Sequence, residues 1–419
     1  MTADTVKRFA LSLNARIFLG AALGILLGLW FRHAGASSDF TVKGLYVSGL
    51  VSGVFIDLLK MVLVPLVFSS IALGVANLRA HHRIGRVWKL TLGFMATTTT
   101  IAVLTGLTAA NIFHPGQGLQ LSLFQDALSN FEAASLTPAE FFGKLLHGIF
   151  VNPVAAMAQP NILAVVVFAL FVGVAVVQAQ ERYPSLLKLL DELFQLCMHM
   201  VGWIMHLAPL GILALMAKLV AVDSLALLDS LLLFVAVIVG TTLLHGAVTL
   251  PALLWVLTRI SPLRFFRGAR PALLTAFATC SSNATIPVTM RCLETDLPVR
   301  REISGFVVPL GATINMDGTA LYEAAAALFV ANLAGISLGL DQQLVVCLMA
   351  MLASIGAPGI PSAGMVTMVM VLQSVGLPAE AVAILIPIDR ILDTVRTAVN
   401  VEGDLITSLV VDRWAGKGG

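Results

Sequence analysis

The sequence predicts an all-α polytopic membrane protein, and three observations carry that prediction. Of its 419 residues 58% are hydrophobic and 11% charged, with a mean hydropathy of +0.95, whereas a soluble domain has about a quarter of its residues charged. Apolar runs long enough to enter a bilayer recur along the chain, among them Ile17 to Trp30, Met61 to Ala76, Ile162 to Val177 and Leu231 to Val248. Two further apolar stretches are interrupted at their centres, by T-C-S-S-N-A-T-I-P at 279 to 287 and by S-I-G-A-P-G-I-P-S-A-G from Ser354. Backbone so broken is tolerated at membrane depth only where it is buried in protein or lines a cavity.

Taken in order, the expected crossings are 14–33, 47–77, 84–113, 141–178, 182–220, 225–258, 302–334 and 379–411. The first apolar stretch lacks a small-residue cleavage site and reads as a membrane helix. No Lys or Arg occurs between Lys89 and Lys144 or between Arg301 and Arg390, which by the positive-inside rule puts the loops there outside. Lys7, Arg8 and Arg16, the segment Arg79 to Lys89, the group Arg259, Arg264, Arg267 and Arg270, and the terminal Arg413 and Lys417 then lie in the cytoplasm, with both ends of the chain. The interrupted stretch near 272–292 has arginines on both flanks, and that near 345–372 has none. They are expected to be re-entrant helical hairpins of opposite orientation, spanning 262–294 and 341–375 (Pro and Gly break continuous helices). Cys197, Cys280, Cys292 and Cys347 show no C-x-x-C spacing and no histidine pattern beside them, so neither a zinc site nor a disulfide framework is expected.

The concentrated chemistry lies near the C-terminus. Asp389, Asp393, Arg396, Thr397, Asn400 and Asp404 fall on one face of a helix, within an otherwise apolar segment. Ionisable groups at that depth cost roughly 2.5–3.5 kcal/mol each on insertion scales and face a cavity or a partner, so the stripe marks a substrate or ion site. Asn315 and Thr319, one turn apart in N-M-D-G-T, form a second polar group in which Gly318 is expected to break the helix. Carboxylates, amide oxygens and free carbonyls are hard donors suited to a hard cation, with Asp317, Asn400 and Asp404 the natural ligands. Glu402 lies off the polar face, and His199, His206 and His245 read as packing residues.

With N-M-D-G-T at 315–319, D-x-x-R-T-x-x-N-V-x-G-D at 393–404, S-S-x-x-T-I-P at 281–287 and S-I-G-x-x-G-I-P at 354–361, the chain resembles the glutamate/aspartate:cation symporters, also called dicarboxylate/amino acid:cation symporters, which include the excitatory amino acid transporters. The resemblance implies a homotrimer in the cell (inner) membrane. Each protomer would have a scaffold (helices 1 and 2 at 14–77, helices 4 and 5 at 141–220) and an elevator-type transport domain (84–113 and 225–411). It implies that Arg396 pairs with the substrate's side-chain carboxylate, Asp393 with its ammonium, and Asn400 with Ser282 its α-carboxylate. Ser281, Thr319, Gly359, Ile360, Gly364 and Thr397 are implied as further contacts. Sodium ligands carried over in the same way are Asn315, Asn400, Asp404 and Gly311 at one site, Thr97, Thr98, Asn315 and Asp317 at another, and Ser354, Ile355, Ala357, Thr313 and Met316 at a third. Glu323 is the candidate proton carrier, the alternative being a glutamate hydrogen-bonded inside the bundle. Cys280 and Thr394 stand where members of the family carry an arginine, and Arg390 is the candidate to supply that charge.

The resulting expectation is a secondary active symporter of glutamate or aspartate coupled to sodium, with a proton as a further candidate ion. Its partners would be the acidic amino acid, sodium, membrane lipid and its own copies, with no nucleic acid and no cofactor. A proton-coupled glutamate or C4-dicarboxylate carrier is the alternative, against which Asp393 speaks, since succinate has no ammonium. A membrane hydrolase is disfavoured because no His lies near Ser281, Ser282 or the 389–404 stripe in sequence to serve as a base.

Overall fold

The computed structural model of the chain describes residues 13–35, 38–77, 85–118, 147, 150–158, 162–179, 182–222, 225–297, 299–357, 363–378 and 381–415. The described residues are helical and contain no strand. The helices are α1 Leu13–Ala34, α2 Asp39–Asn77, α3 Gly85–Phe113, α4 Pro153–Ala158, α5 Ile162–Gln178, α6 Pro184–Val222, α7 Leu225–Leu244 and α8 Leu250–Thr258, followed by α9 Pro262–Thr279, α10 Ser282–Thr295, α11 Arg301–Ile314, α12 Asp317–Leu333, α13 Leu340–Gly356, α14 Ala363–Ser374 and α15 Val382–Ala415. A π-helical turn, His245–Thr249, joins α7 to α8.

Among the described residues three stretches are long and apolar enough to cross a membrane, Ala15–Ala34, Arg86–Phe113 and Asp229–Thr258, and a fourth is if α6, bent by 51° near His206, counts as one span. The expected crossing at 302–334 is two helices, because the chain leaves helical geometry at Asn315 and Met316. The helix over the second expected crossing starts earlier than 47, at Asp39. Each interrupted stretch forms two helices that pack on each other, α9 with α10 and α13 with α14. Cys280 turns the first pair with φ +52°. The tip of the second, including Gly359 and Ile360, lies outside the described residues, as do Lys417 and the start of the expected crossing at 141.

Small residues set how closely the helices approach. Gly20, Gly24 and Gly28 of α1 recur every fourth residue, and a Cβ on any of them would collide with a backbone oxygen of α6, that of Pro209, Leu213 or Ala217. This is the close contact by which membrane helices associate when burial of apolar surface supplies no driving force. α12 is buried over nearly its whole length and carries Ala320 and the run Ala324 to Ala327; Gly106 of α3 lies against its Leu321 carbonyl. α15 packs against α3, α7, α8, α9, α10, α11, α12 and α14. Its Val382 to Leu392 part belongs to one apolar cluster and Val399 to Val411 to another. Arg300 pins its C-terminal end through Asp412, 2.7 Å away. The polar stripe of α15 is thereby held in the protein interior.

Candidate functional site

The break before α12 organises the site. Asn315 (φ −110°, ψ 81°) and Met316 (φ −119°, ψ 62°) depart from helical dihedrals, and a helix start leaves backbone N–H groups without intrahelical acceptors. One is answered from α15: Asn400 Oδ1 accepts the Gly318 N–H at 2.8 Å, while Asn400 Nδ2 donates to Thr319 Oγ1 at 3.2 Å. Gly318 is not the break itself but a point of close approach to α15, since a Cβ there would lie 2.7 Å from the Arg396 carbonyl oxygen.

Around the break lies an oxygen-rich cluster. Asp317 is fully buried; its Oδ1 accepts the Thr99 hydroxyl at 2.6 Å and lies 3.3 Å from that of Thr98, which also reaches the Met95 carbonyl at 3.0 Å, and its Oδ2 lies 3.2 Å from His245 Nε2. Asn315 Nδ2 donates to Asp404 Oδ1 at 3.0 Å, and Asn315 Oδ1, also buried, meets no hydrogen-bond partner. Gly311 sits against the Asp404 carboxylate so closely that a Cβ would collide with it. No Lys or Arg forms an ion pair with Asp317 or Asp404 among the described residues. Buried carboxylates of this kind require compensation, and carboxylate and amide oxygens grouped in this way are hard donors suited to a hard cation.

One to two turns N-terminal along α15, Arg396 is the largest fully buried side chain. Its Nη2 donates to Asp389 Oδ1 at 2.7 Å and to Asp393 Oδ1 at 3.1 Å, and its guanidinium lies over the Tyr322 ring, 4.0 Å from the centroid. Its Nε and Nη1 are buried without an acceptor in the protein. A guanidinium fixed along one edge and unanswered elsewhere fits a carboxylate, for which the planar fork is matched. Thr397 also reaches Asp393, at 3.4 Å, and Arg390 stands 3.8 Å from its Oδ2. Gly364 at the start of α14 faces this group: a Cβ there would lie 3.1 Å from Thr319 and 3.6 Å from Arg396 Nη1.

A profile of the sodium:dicarboxylate symporter family matches residues 13 to 414. The chain is 33% identical over 430 residues to an excitatory amino acid transporter of Caenorhabditis elegans, with 91% of this chain and 85% of that protein covered. It is 33% identical over 455 residues to human excitatory amino acid transporter 3, covering 97% and 85%, and 32% identical over 471 residues to excitatory amino acid transporter 1 of Ambystoma tigrinum, covering 98% and 85%. The chain belongs to the sodium:dicarboxylate symporter family. It is a secondary transporter of the membrane and not an enzyme.

In this symporter Thr319, Asp393, Arg396, Thr397 and Asn400 come together, as do Thr98, Gly311, Asn315, Asp317 and Asp404. Ser281 and Ser282 are buried at the start of α10, where Ser281 Oγ accepts the Ala284 N–H. Thr97 goes elsewhere: it is exposed and donates back to the Gly93 carbonyl, and Thr99 stands on Asp317 instead. Thr313 is likewise exposed and bonds to the Leu310 carbonyl, whereas Met316 is buried. Ser354 is buried and donates to the Met351 carbonyl, and Ala357 closes α13. Glu323 is fully buried, accepts the Thr367 hydroxyl through Oε1, and has no partner for Oε2. Two participants were missed by the sequence reading, Thr99 and His245, which is no mere packing residue, and Asp389 of the stripe acts as the brace of Arg396. The stripe spacing already contained Asp389; nothing in the sequence pairs His245 with Asp317, 72 positions away.

Proposed function

We propose that this symporter carries an acidic amino acid, glutamate or aspartate, together with sodium. The observation that carries the reading is Arg396, buried, braced by two aspartates, and left with Nε and Nη1 unanswered beside Asp393 and Asn400. A substrate carboxylate would answer the guanidinium, Asp393 would take the ammonium, and Asn400 with Ser281 and Ser282 the α-carboxylate, with Thr319, Thr397, Gly359, Ile360 and Gly364 completing the contacts. Sodium is favoured over proton-only coupling because Asn315, Asp317, Asn400 and Asp404 supply hard oxygen donors. Thr98, Gly311, Thr313, Met316, Ser354, Ile355 and Ala357 complete the proposed sodium sites, and Thr99 takes the place expected for Thr97. The unanswered Oε2 of Glu323 supports a proton as an additional coupled ion.

In this reading the chain crosses the inner membrane eight times with both ends in the cytoplasm. The pairs α9/α10 and α13/α14 are the re-entrant hairpins. α1, α2 and α4 to α6 form a scaffold within a homotrimer, and the remaining helices move as the elevator. Uptake of labelled glutamate and aspartate into proteoliposomes, with sodium and proton gradients imposed separately, tests the function. Sodium-driven, saturable accumulation is expected; full uptake under a proton gradient alone with sodium irrelevant sinks the reading.

A further inference from the structure

The π-helical turn between α7 and α8 has no role in the transport reading given above. A π-turn inserts a residue into a helix, loses helical hydrogen bonds and recurs at functional sites, so its position calls for a reason. This one begins at His245, whose ring is fully buried. With its proton on Nε2 the imidazole donates to Asp317 Oδ2, 3.2 Å away. Nδ1 has no partner. The next residue, Gly246, presses on α15: a Cβ there would lie 2.8 Å from Val399 Cγ2 and 2.9 Å from Glu402 Oε2. The turn thus touches Asp317 of α12 through His245 and Val399 and Glu402 of α15 through Gly246, and these two elements carry the carboxylates of the oxygen cluster, Asp317 and Asp404.

We infer that His245 is a positioning residue for the cation site, presented by the π-turn to fix the Asp317 carboxylate. A carboxylate has about four lone-pair sites. Thr99 on Oδ1 and His245 on Oδ2 occupy two of them, one on each oxygen, which stops the group from rotating and aims the remaining ones. Side chains that hydrogen-bond to an ion's ligands characteristically change its affinity by about 10–100-fold when replaced. Glu402, buried with Oε1 unpartnered, closes the other side of the turn. The inference deepens the sodium reading and rests on it.

The test is the sodium dependence of aspartate uptake in proteoliposomes by wild type, His245→Asn and His245→Gln. The Gln amide reaches where Nε2 lies and the Asn amide falls short of it. His245→Asn is expected to raise the half-saturating sodium concentration at least about tenfold, with the substrate KM at saturating sodium much less affected, and His245→Gln to restore sodium affinity to within about threefold of wild type. Unchanged sodium half-saturation in His245→Asn overturns the inference, and so do equal shifts in both variants, which would mean packing alone. Sodium-independent uptake by the wild type instead overturns the underlying sodium reading, and the role of His245 with it.

Discussion

At the scale of single residues, Arg396 illustrates how a buried charge is made useful. Asp389 and Asp393 hold one nitrogen and Tyr322 covers the face, so the guanidinium is oriented before any substrate arrives. On the proposed pairing, Arg396→Cys removes the partner of a substrate carboxylate. Losing such a charge-assisted pair costs about 3 kcal/mol, or roughly a hundredfold in affinity. Acidic-substrate uptake should fall at least that far, and neutral amino acids should become competitors. Unchanged glutamate affinity would falsify the pairing. Glu323→Gln keeps the oxygen that accepts the Thr367 hydroxyl and removes the ionisable group. Uptake by this variant should retain its response to sodium and lose its response to an imposed proton gradient; a response like that of wild type removes Glu323 as proton carrier. Thr97 shows the limit of residue-level reading, because a run of four threonines, 97 to 100, contains no signal for which pair faces inward. The rotation of α3 against α12, set by Gly106 on the Leu321 carbonyl, selects Thr98 and Thr99.

At the scale of elements, the break at Asn315 and Met316 does what a continuous helix cannot. It exposes backbone at the protein centre and turns Asn315 toward Asp404. The sequence reading placed the break at Gly318 on conformational grounds, two residues late. Glycine is needed there for distance, because α12 starts on the backbone of α15. Gly318→Ala should therefore force the two helices apart, destabilise the protein by about 1–3 kcal/mol and depress uptake. A melting temperature and uptake equal to wild type would show that the contact has slack. The π-turn at His245 was invisible in advance, since a one-residue insertion leaves the apolar pattern of 225–258 intact.

At the scale of the whole molecule, the first helices are assembled through the glycine stripe of α1 on α6, and the remainder is gathered around α12 and α15. Large apolar side chains stay exposed on α1, α2 and α6, among them Leu26, Leu50, Trp203 and Leu210, as a protein solvated by lipid requires. A homotrimer in mild detergent should run at a protein mass near three times 44.3 kDa; native mass measurement giving one chain would exclude it.

Composition and the spacing of apolar runs settled the helical membrane class, because a bilayer accepts little else from so uncharged a chain. The period of the stripe on α15 settled that its acids, Arg396 and Asn400 share a face. What the tertiary structure alone decided is how groups far apart in sequence meet: Thr99 and His245 on Asp317, Asn400 on Gly318, Asn315 on Asp404. Those pairings depend on helix rotation and on how closely backbones approach, which local patterns do not encode. The site's outline was therefore legible along one helix, and its walls were not.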